Sequence, residues 1–202
     1  VVRRIEGPVE KGFHRIAWDL KYPSSDIVRI DGSGSAAPGF MAAPGTYTAS
    51  LSKQVDGVVT ELSKPVTFTV EQMRKGVLTG ANPLAVAEFW RSYEKAARNA
   101  SALSMKLDNA QKKMAAMEKA LARANAAPGT LDKDIHTIRQ ELLDIDKQLN
   151  GAGPKQEVGE KSKPVIGQRL FAISRAIYRS TYGPTETAKR GIAIVESEVK
   201  EN

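Results

Sequence analysis

There is no cysteine in the 202 residues, which excludes disulfides, thiolate metal sites and cysteine nucleophiles but leaves the redox compartment open. Aromatic residues make up only 6%, and His14 and His136 are the two histidines. No apolar run approaches the ~18 residues of a membrane-spanning helix, and no export signal stands in this stretch. G-x-S-x-G, H-E-x-x-H and the Walker phosphate loop are missing, and each of those patterns would have marked a defined chemistry. The chain opens Val-Val-Arg-Arg without an initiator Met, with a strand-like pattern already running, and so reads as a piece of a longer protein. An export signal upstream of it is compatible with all of this.

Charge of one sign is also scarce. Thirty basic and 23 acidic side chains give +7; residues 1–82 hold 10 and 8, residues 83–202 hold 20 and 15, so the excess is +2 and +5. The signs are interleaved through the helical part. Nucleic-acid binding would want a concentrated basic stripe with aromatics set into it, so no nucleic-acid partner is expected. A solvated mixed-charge surface is.

What the sequence does have is periodicity. Phe89, Tyr93, Ala96, Ala100, Leu103, Leu107, Ala110, Met114, Met117 and Leu121 follow one another in alternating steps of four and three, the seam of a left-handed supercoiled helix. Asn82 suits the cap and Pro83 the first helical position, while Pro128-Gly129 closes the far end. A helix over about 83–126 is on the order of 60 Å long, and something must lie along it. Leu131, Ile135, Ile138, Leu142, Ile145 and Leu149 repeat the spacing after Thr130, a candidate N-cap. The short connection requires this second helix, about 131–149, to fold back antiparallel. Beyond a polar linker, Ile166, Leu170, Ile173 and Ile177 predict a helix over about 164–181, and Ala188, Ile192, Val195 and Val199 one over about 185–200.

Residues 1–75 read as strands. Gly12–Leu20 alternates, with Ile16, Trp18 and Leu20 on one face; Gly45–Ser52 alternates again, and Val66, Phe68 and Val70 point one way. Asp56-Gly57 between Val55 and Val58 is the sequence of a two-residue type I′ hairpin turn. The expected fold is therefore segregated α+β: an N-terminal antiparallel β-sandwich over 1–75, small enough for one or two further strands to lie upstream, and an antiparallel helical bundle over 82–202 with one long coiled-coil-like helix.

Candidate chemistry is thin. Gly32-Ser33-Gly34-Ser35-Ala36-Ala37 matches G-x-G-x-x-A, but Pro38-Gly39 follows where a helix should begin. Asp31 with Ser33 and Ser35 lacks the remaining ligands of a calcium loop. Neither histidine is assigned a ligand role. Trp18 is expected in the core rather than as a sugar platform, and Trp90 beside Phe89 is expected where sandwich meets bundle. Glu6, Asp19 and Asp26 carry nothing that marks a glycosidase pair. The corner between the last two helices stands out: residues 163–190 hold Lys163, Arg169, Arg175, Arg179, Lys189 and Arg190 against Glu186, a net +5. Arg175, Arg179, Thr181 and Thr185 are the candidate contacts there for an anion or a partner's carboxylate. No catalytic residue, metal or cofactor is assigned.

Two stretches, Gly12-Phe13-His14-Arg15-Ile16-Ala17-Trp18-Asp19-Leu20 and Ala43-Pro44-Gly45-Thr46-Tyr47-Thr48, resemble the sandwich module behind the β-propeller of exported bacterial sortilin-like repeat proteins. Those proteins are commonly labelled glycosyl hydrolases. The Asp-Gly hairpin, the long helical hairpin and the corner Ser180-Thr181-Tyr182-Gly183-Pro184-Thr185 are similar to their C-terminal tails. The resemblance implies an immunoglobulin- or fibronectin-like sandwich followed by a bundle, with no catalytic role in this stretch. It implies an upstream β-propeller of the same polypeptide as partner, a protein or glycan as further partner, and a periplasmic or extracellular location. A coiled-coil adaptor for a partner protein and a carbohydrate-binding module are the alternatives.

Overall fold

The computed structural model describes residues 1–202 apart from 30, 31, 33–37, 74–78, 153–156, 160, 162, 179, 181 and 202. The element order is β1 (Gly45–Ala49), β2 (Ser52–Val55), β3 (Val58–Glu61), β4 (Val66–Val70), α1 (Pro83–Ala122), α2 (Leu131–Asn150), α3 (Ile166–Tyr178) and α4 (Glu186–Glu201). The architecture is mixed, with short antiparallel strands first and helices after. The chain divides into two compact units, and the division falls inside α1, after Trp90; Tyr182 and Gly183 belong with the strand-bearing unit.

In the strand-bearing unit, β1 pairs antiparallel with β4 and β2 with β3, as two two-stranded sheets. They are the two halves of one nested hairpin. The turn at its tip has Asp56 at φ 48° and Gly57 at φ 81°, the pair of positive values that a type I′ turn demands. Two residues, Ser50 and Leu51, separate β1 from β2, whereas four, Leu62 to Pro65, separate β3 from β4. The return strand must therefore bulge, and Pro65 sits there because it has no N–H to give a ladder. The Leu62 amide still donates to the Leu51 carbonyl at 2.8 Å.

Two expectations are corrected here. Residues 12–20 form no strand, because extended backbone needs a run of hydrogen bonds to a neighbour and the Ala42 amide meets only the last carbonyl, that of Leu20, at 2.7 Å. The chain instead turns at Asp19, whose Oδ1 accepts the Lys21 amide at 3.0 Å, and Leu20 takes φ 56°. Pairing resumes only at a single bridge between Lys21 and Met41. Nor do the two ribbons face each other as the layers of a sandwich. Val55, Val58, Val59 and Leu62 are all more than half exposed. The face carrying Tyr47 and Phe68, directly opposite one another in the ladder, is covered by Trp18, edge-on at 5.3 and 6.3 Å. Trp18 is held there by its indole N–H, which donates to the Lys21 carbonyl at 2.9 Å. Tyr47 and Phe68 stack at 6.0 Å, and the Tyr47 hydroxyl donates to the Ala43 carbonyl. This aromatic trio, with Ala42 and Ala43 buried nearby in the chain, is where the ribbon is tied down.

The helical unit follows the 4-3 spacing most closely at its end. Ile166, Leu170, Ile173 and Ile177 of α3 and Ala188, Ile192 and Val195 of α4 are all buried, Val195 completely. Each fully buried Leu or Ile contributes roughly 1.5–3 kcal/mol of transfer free energy. In α1, Ala96, Ala100, Leu107 and Met114 are buried. Along the α2 seam Leu131 and Ile138 are exposed, Ile135, Leu142 and Ile145 half-buried, and Leu149 buried. α2 packs against α3. It meets α1 through the Arg139–Glu118 ion pair, 3.2 Å.

Asn82 caps α1 as its sequence suggests, its Oδ1 accepting the Leu84 amide at 2.9 Å. Thr130 does not cap α2 with its hydroxyl. Its φ and ψ of −87° and −9° are helical, not the extended values from which a cap side chain reaches back. Gly151 ends α2 at φ 86°, donating its N–H to Lys147 O.

Candidate functional site

Of the four residues singled out around the last helical corner, Arg175 and Thr185 are described. Arg179 and Thr181 lie outside the described residues. Thr185 stands at the N-terminus of α4, where its Oγ1 accepts the Ala188 amide at 3.2 Å and its carbonyl takes the Lys189 amide at 3.1 Å. That hydroxyl satisfies one of the free amides of the first turn and is thereby committed to the helix. Arg175 lies in the last turn of α3, exposed. It lines a shallow hollow of about 460 Å³ with Phe171, Ser174 and Tyr178. Thr185 does not line that hollow.

Charge at the start of α4 is paired locally. Lys189 Nζ and Glu186 Oε1 are 2.7 Å apart. The hydrogen bond from Lys189, then its charge, and more weakly that of Arg190, hold the Glu186 carboxyl below its ordinary value of 4.5. The acid in the first turn is also well placed against the helix dipole. An anion approaching the α4 N-terminus therefore meets a carboxylate and a used hydroxyl.

Just before α4, Gly183 is fixed by its surroundings in the strand-bearing unit. It is buried at φ 91°, and a Cβ there would stand 2.4 Å from Ala81 Cβ and 3.3 Å from Val86 Cγ2. Ala81 donates its amide to the Tyr182 carbonyl at 3.1 Å. The Tyr-Gly-Pro signal thus marks a close backbone approach.

A second hollow, about 420 Å³, lies between the end of α1 and the start of α2 and is lined by Glu118, Asp132, His136 and Arg139 among others. Asp132 and His136 are one helical turn apart, a spacing already visible in the sequence. Glu118 is taken by Arg139. Among the described residues no group of three or more His, Cys, Asp or Glu is arranged to hold a metal ion.

The remaining candidates have structural partners. His14 Nε2 lies 2.8 Å from the Glu10 carbonyl oxygen. Asp19 holds the Lys21 amide. Trp18 is packed on Tyr47 and Phe68, and Trp90 stands edge-on to Phe89 at 6.1 Å. The G-x-G-x-x-A stretch and Asp31 fall outside the described residues except for Gly32, which has φ 68°. Among the described residues no helix is long and apolar enough to cross a membrane. No protein-family model, curated protein or solved structure matches this chain.

Proposed function

We propose that this chain is a non-catalytic structural and interaction module, the C-terminal region of a larger exported β-propeller protein that acts on glycans or peptides outside the cytoplasm. The observation that carries the reading is the uncovered hairpin. A two-stranded ribbon is marginal on its own in water, yet this one leaves Val55, Val58, Val59 and Leu62 more than half exposed. Val55 and Val58 are paired across the ladder and share one face, while Val59 lies on the other, so both faces of the ribbon leave apolar side chains open for burial. Further strands of the same polypeptide would complete an immunoglobulin- or fibronectin-like sandwich on it. The propeller of the parent would be its packing partner, as the resemblance of Gly12–Leu20 and Ala43–Thr48 implies. Supporting the scaffold role, the residues that stood out for chemistry are spent on capping, turns and packing: Thr185, Asp19 and Trp18.

Two measurements test this. The coding sequence upstream of Val1 is expected to hold repeated propeller blades and an export signal; a reading frame that begins at this segment overturns the proposal. Removing residues 1–202 from the parent is expected to lower the melting temperature of the remainder. An unchanged melting curve would mean that the module supports nothing.

A further inference from the structure

α3 carries a second seam. Its buried edge is Ile166, Leu170, Ile173 and Ile177; one residue on, Gly167, Phe171, Ser174 and Tyr178 repeat the same steps of four, three and four. At about 100° per residue these form a stripe adjoining the buried one. It is not covered: Phe171 is 64% and Tyr178 80% exposed, and a Cβ placed on Gly167 would meet nothing within 4 Å. A helix with apolar side chains on two sides has partners on two sides, and among the described residues only one side has them.

The charges say what the absent neighbour carries. From residue 161 to residue 185 there are five cations, Lys161, Lys163, Arg169, Arg175 and Arg179, and no acid. On the covered side, α4 supplies the missing carboxylate, with Glu198 Oε2 3.6 Å from Arg169 Nε. Arg175 flanks the uncovered seam, lines the same hollow as Phe171 and Tyr178, and makes no ion pair among the described residues. A second copy meeting this stripe across a two-fold axis would bring both Arg175 side chains into one interface. Neither α3 has a carboxylate to place between them, and like charges so placed oppose association.

The geometry points to this face of α3 as the docking site for an acidic amphipathic helix of a partner protein. Its apolar residues, spaced four and three, lie along Gly167–Phe171–Ser174–Tyr178, and a Glu or Asp meets Arg175. Gly167 admits the close approach of the partner's backbone, Phe171 and Tyr178 are the knobs, and Arg175 selects sign and register. The inference rests on the interaction-module reading but not on the identity of the neighbouring domain, so a failed titration leaves the upstream-sequence test standing.

The test uses the whole chain and two synthetic helices of about 21 residues, three heptads with Leu at the seam positions and either Glu or Lys elsewhere. Binding is followed by fluorescence anisotropy. The Glu helix is expected to bind and the Lys helix not; Arg175→Glu should weaken the Glu helix by about tenfold or more and turn preference toward the Lys helix. Phe171→Ser and Tyr178→Ser should each weaken it by about tenfold. All three side chains are exposed, so circular dichroism should be unchanged, and a variant that does unfold is replaced by Phe171→Lys read the same way. Equal binding of both helices, or no binding of either, overturns the proposal. So does an acidic oligosaccharide that binds as tightly and is indifferent to Phe171→Ser, since the face would then read charge alone. A mass that doubles with concentration in sedimentation and returns to monomer with Phe171→Ser assigns the face to a second copy, and also overturns it.

Discussion

Gly191 decides how closely α3 and α4 approach, and replacing it sets two effects of similar size against each other. Gly191 lies inside α4, where glycine costs about 1 kcal/mol relative to alanine. An alanine Cβ there, however, would stand 2.8 Å from Ile173 Cδ1 and 3.2 Å from its Cγ1. The first distance is shorter than any relaxed carbon contact, and Ile173 is itself buried between the helices. Overpacking of this kind costs about 1–3 kcal/mol, so Gly191→Ala should be destabilising by about 1 kcal/mol after the gain in helix propensity. Ile173→Val removes the Cδ1 at the clash and by itself costs about 0.5–1.5 kcal/mol. In the double variant the clash is largely gone while the propensity gain remains. It should be about 1 kcal/mol more stable than Ile173→Val alone, giving a favourable coupling of about 1–3 kcal/mol. Urea unfolding followed by far-ultraviolet circular dichroism of the four proteins measures the cycle. Additivity within about 0.5 kcal/mol would refute the packing of Gly191 on Ile173.

Four further outcomes are expected. Gly183→Ala, which puts a side chain at φ 91° and 2.4 Å from Ala81 Cβ, should cost at least about 2 kcal/mol in the same urea titration; a neutral result would mean that the Tyr182–Gly183 segment is not tied to Ala81. Thr185→Ala should lose about 1 kcal/mol of helix stability and Thr185→Ser little, whereas equal loss would assign the residue a role other than capping. Glu186 titrates below 4.5 when folded, so its contribution is present above that pH and fades as pH falls through the lowered pKa; Lys189→Gln should move its NMR-observed pKa up, and no movement would remove the ion pair as the cause. Trp18→Ala should expose Tyr47 and Phe68 and raise hydrogen exchange along β1 and β4, and exchange that stays unchanged would show that the ribbon is held by something else.

The helices were legible because their pattern carries its own test: apolar residues in steps of four and three must share an edge. At α3 and α4 the seam residues Ile166, Leu170, Ile173, Ile177, Ala188, Ile192 and Val195 are buried accordingly, and Val199 is half-buried. The hairpin was legible for a local reason, since Asp56-Gly57 prefers the two positive φ values that the turn requires. Gly12–Leu20 was misread because alternation states which side chains share a face but not whether a neighbouring backbone exists to pair with. Nothing in that stretch announces the turn that Asp19 makes with the Lys21 amide. The sandwich rested on the same alternation, which does not say whether short strands form two layers or, as in β1–β4, the arms of one nested hairpin. At the site, Thr185 could be read as a cap or as an anion contact from sequence alone, and only the bond to the Ala188 amide separates them. The stripe through Phe171 and Tyr178 was present in the sequence but hidden by assigning each helix one seam.

That stripe bears on how folding and binding are divided in this chain. With 13 residues, α3 is too short to persist alone in water, so its helicity is owed to the four apolar side chains it buries against α4 and α2. The exposed stripe contributes little to that stability, since Phe171 and Tyr178 already stand mostly in water. Large aromatics on a solvent face are more than folding alone requires, because Ala or Lys would serve the helix at least as well. The two edges of α3 should therefore separate in experiment: Ile173→Ala should weaken stability and, with it, any docking, whereas Phe171→Ser should weaken docking and leave unfolding where it was. Should Phe171→Ser destabilise the chain as much as Ile173→Ala, the second edge belongs to the fold, and α3 has no face left to offer a partner.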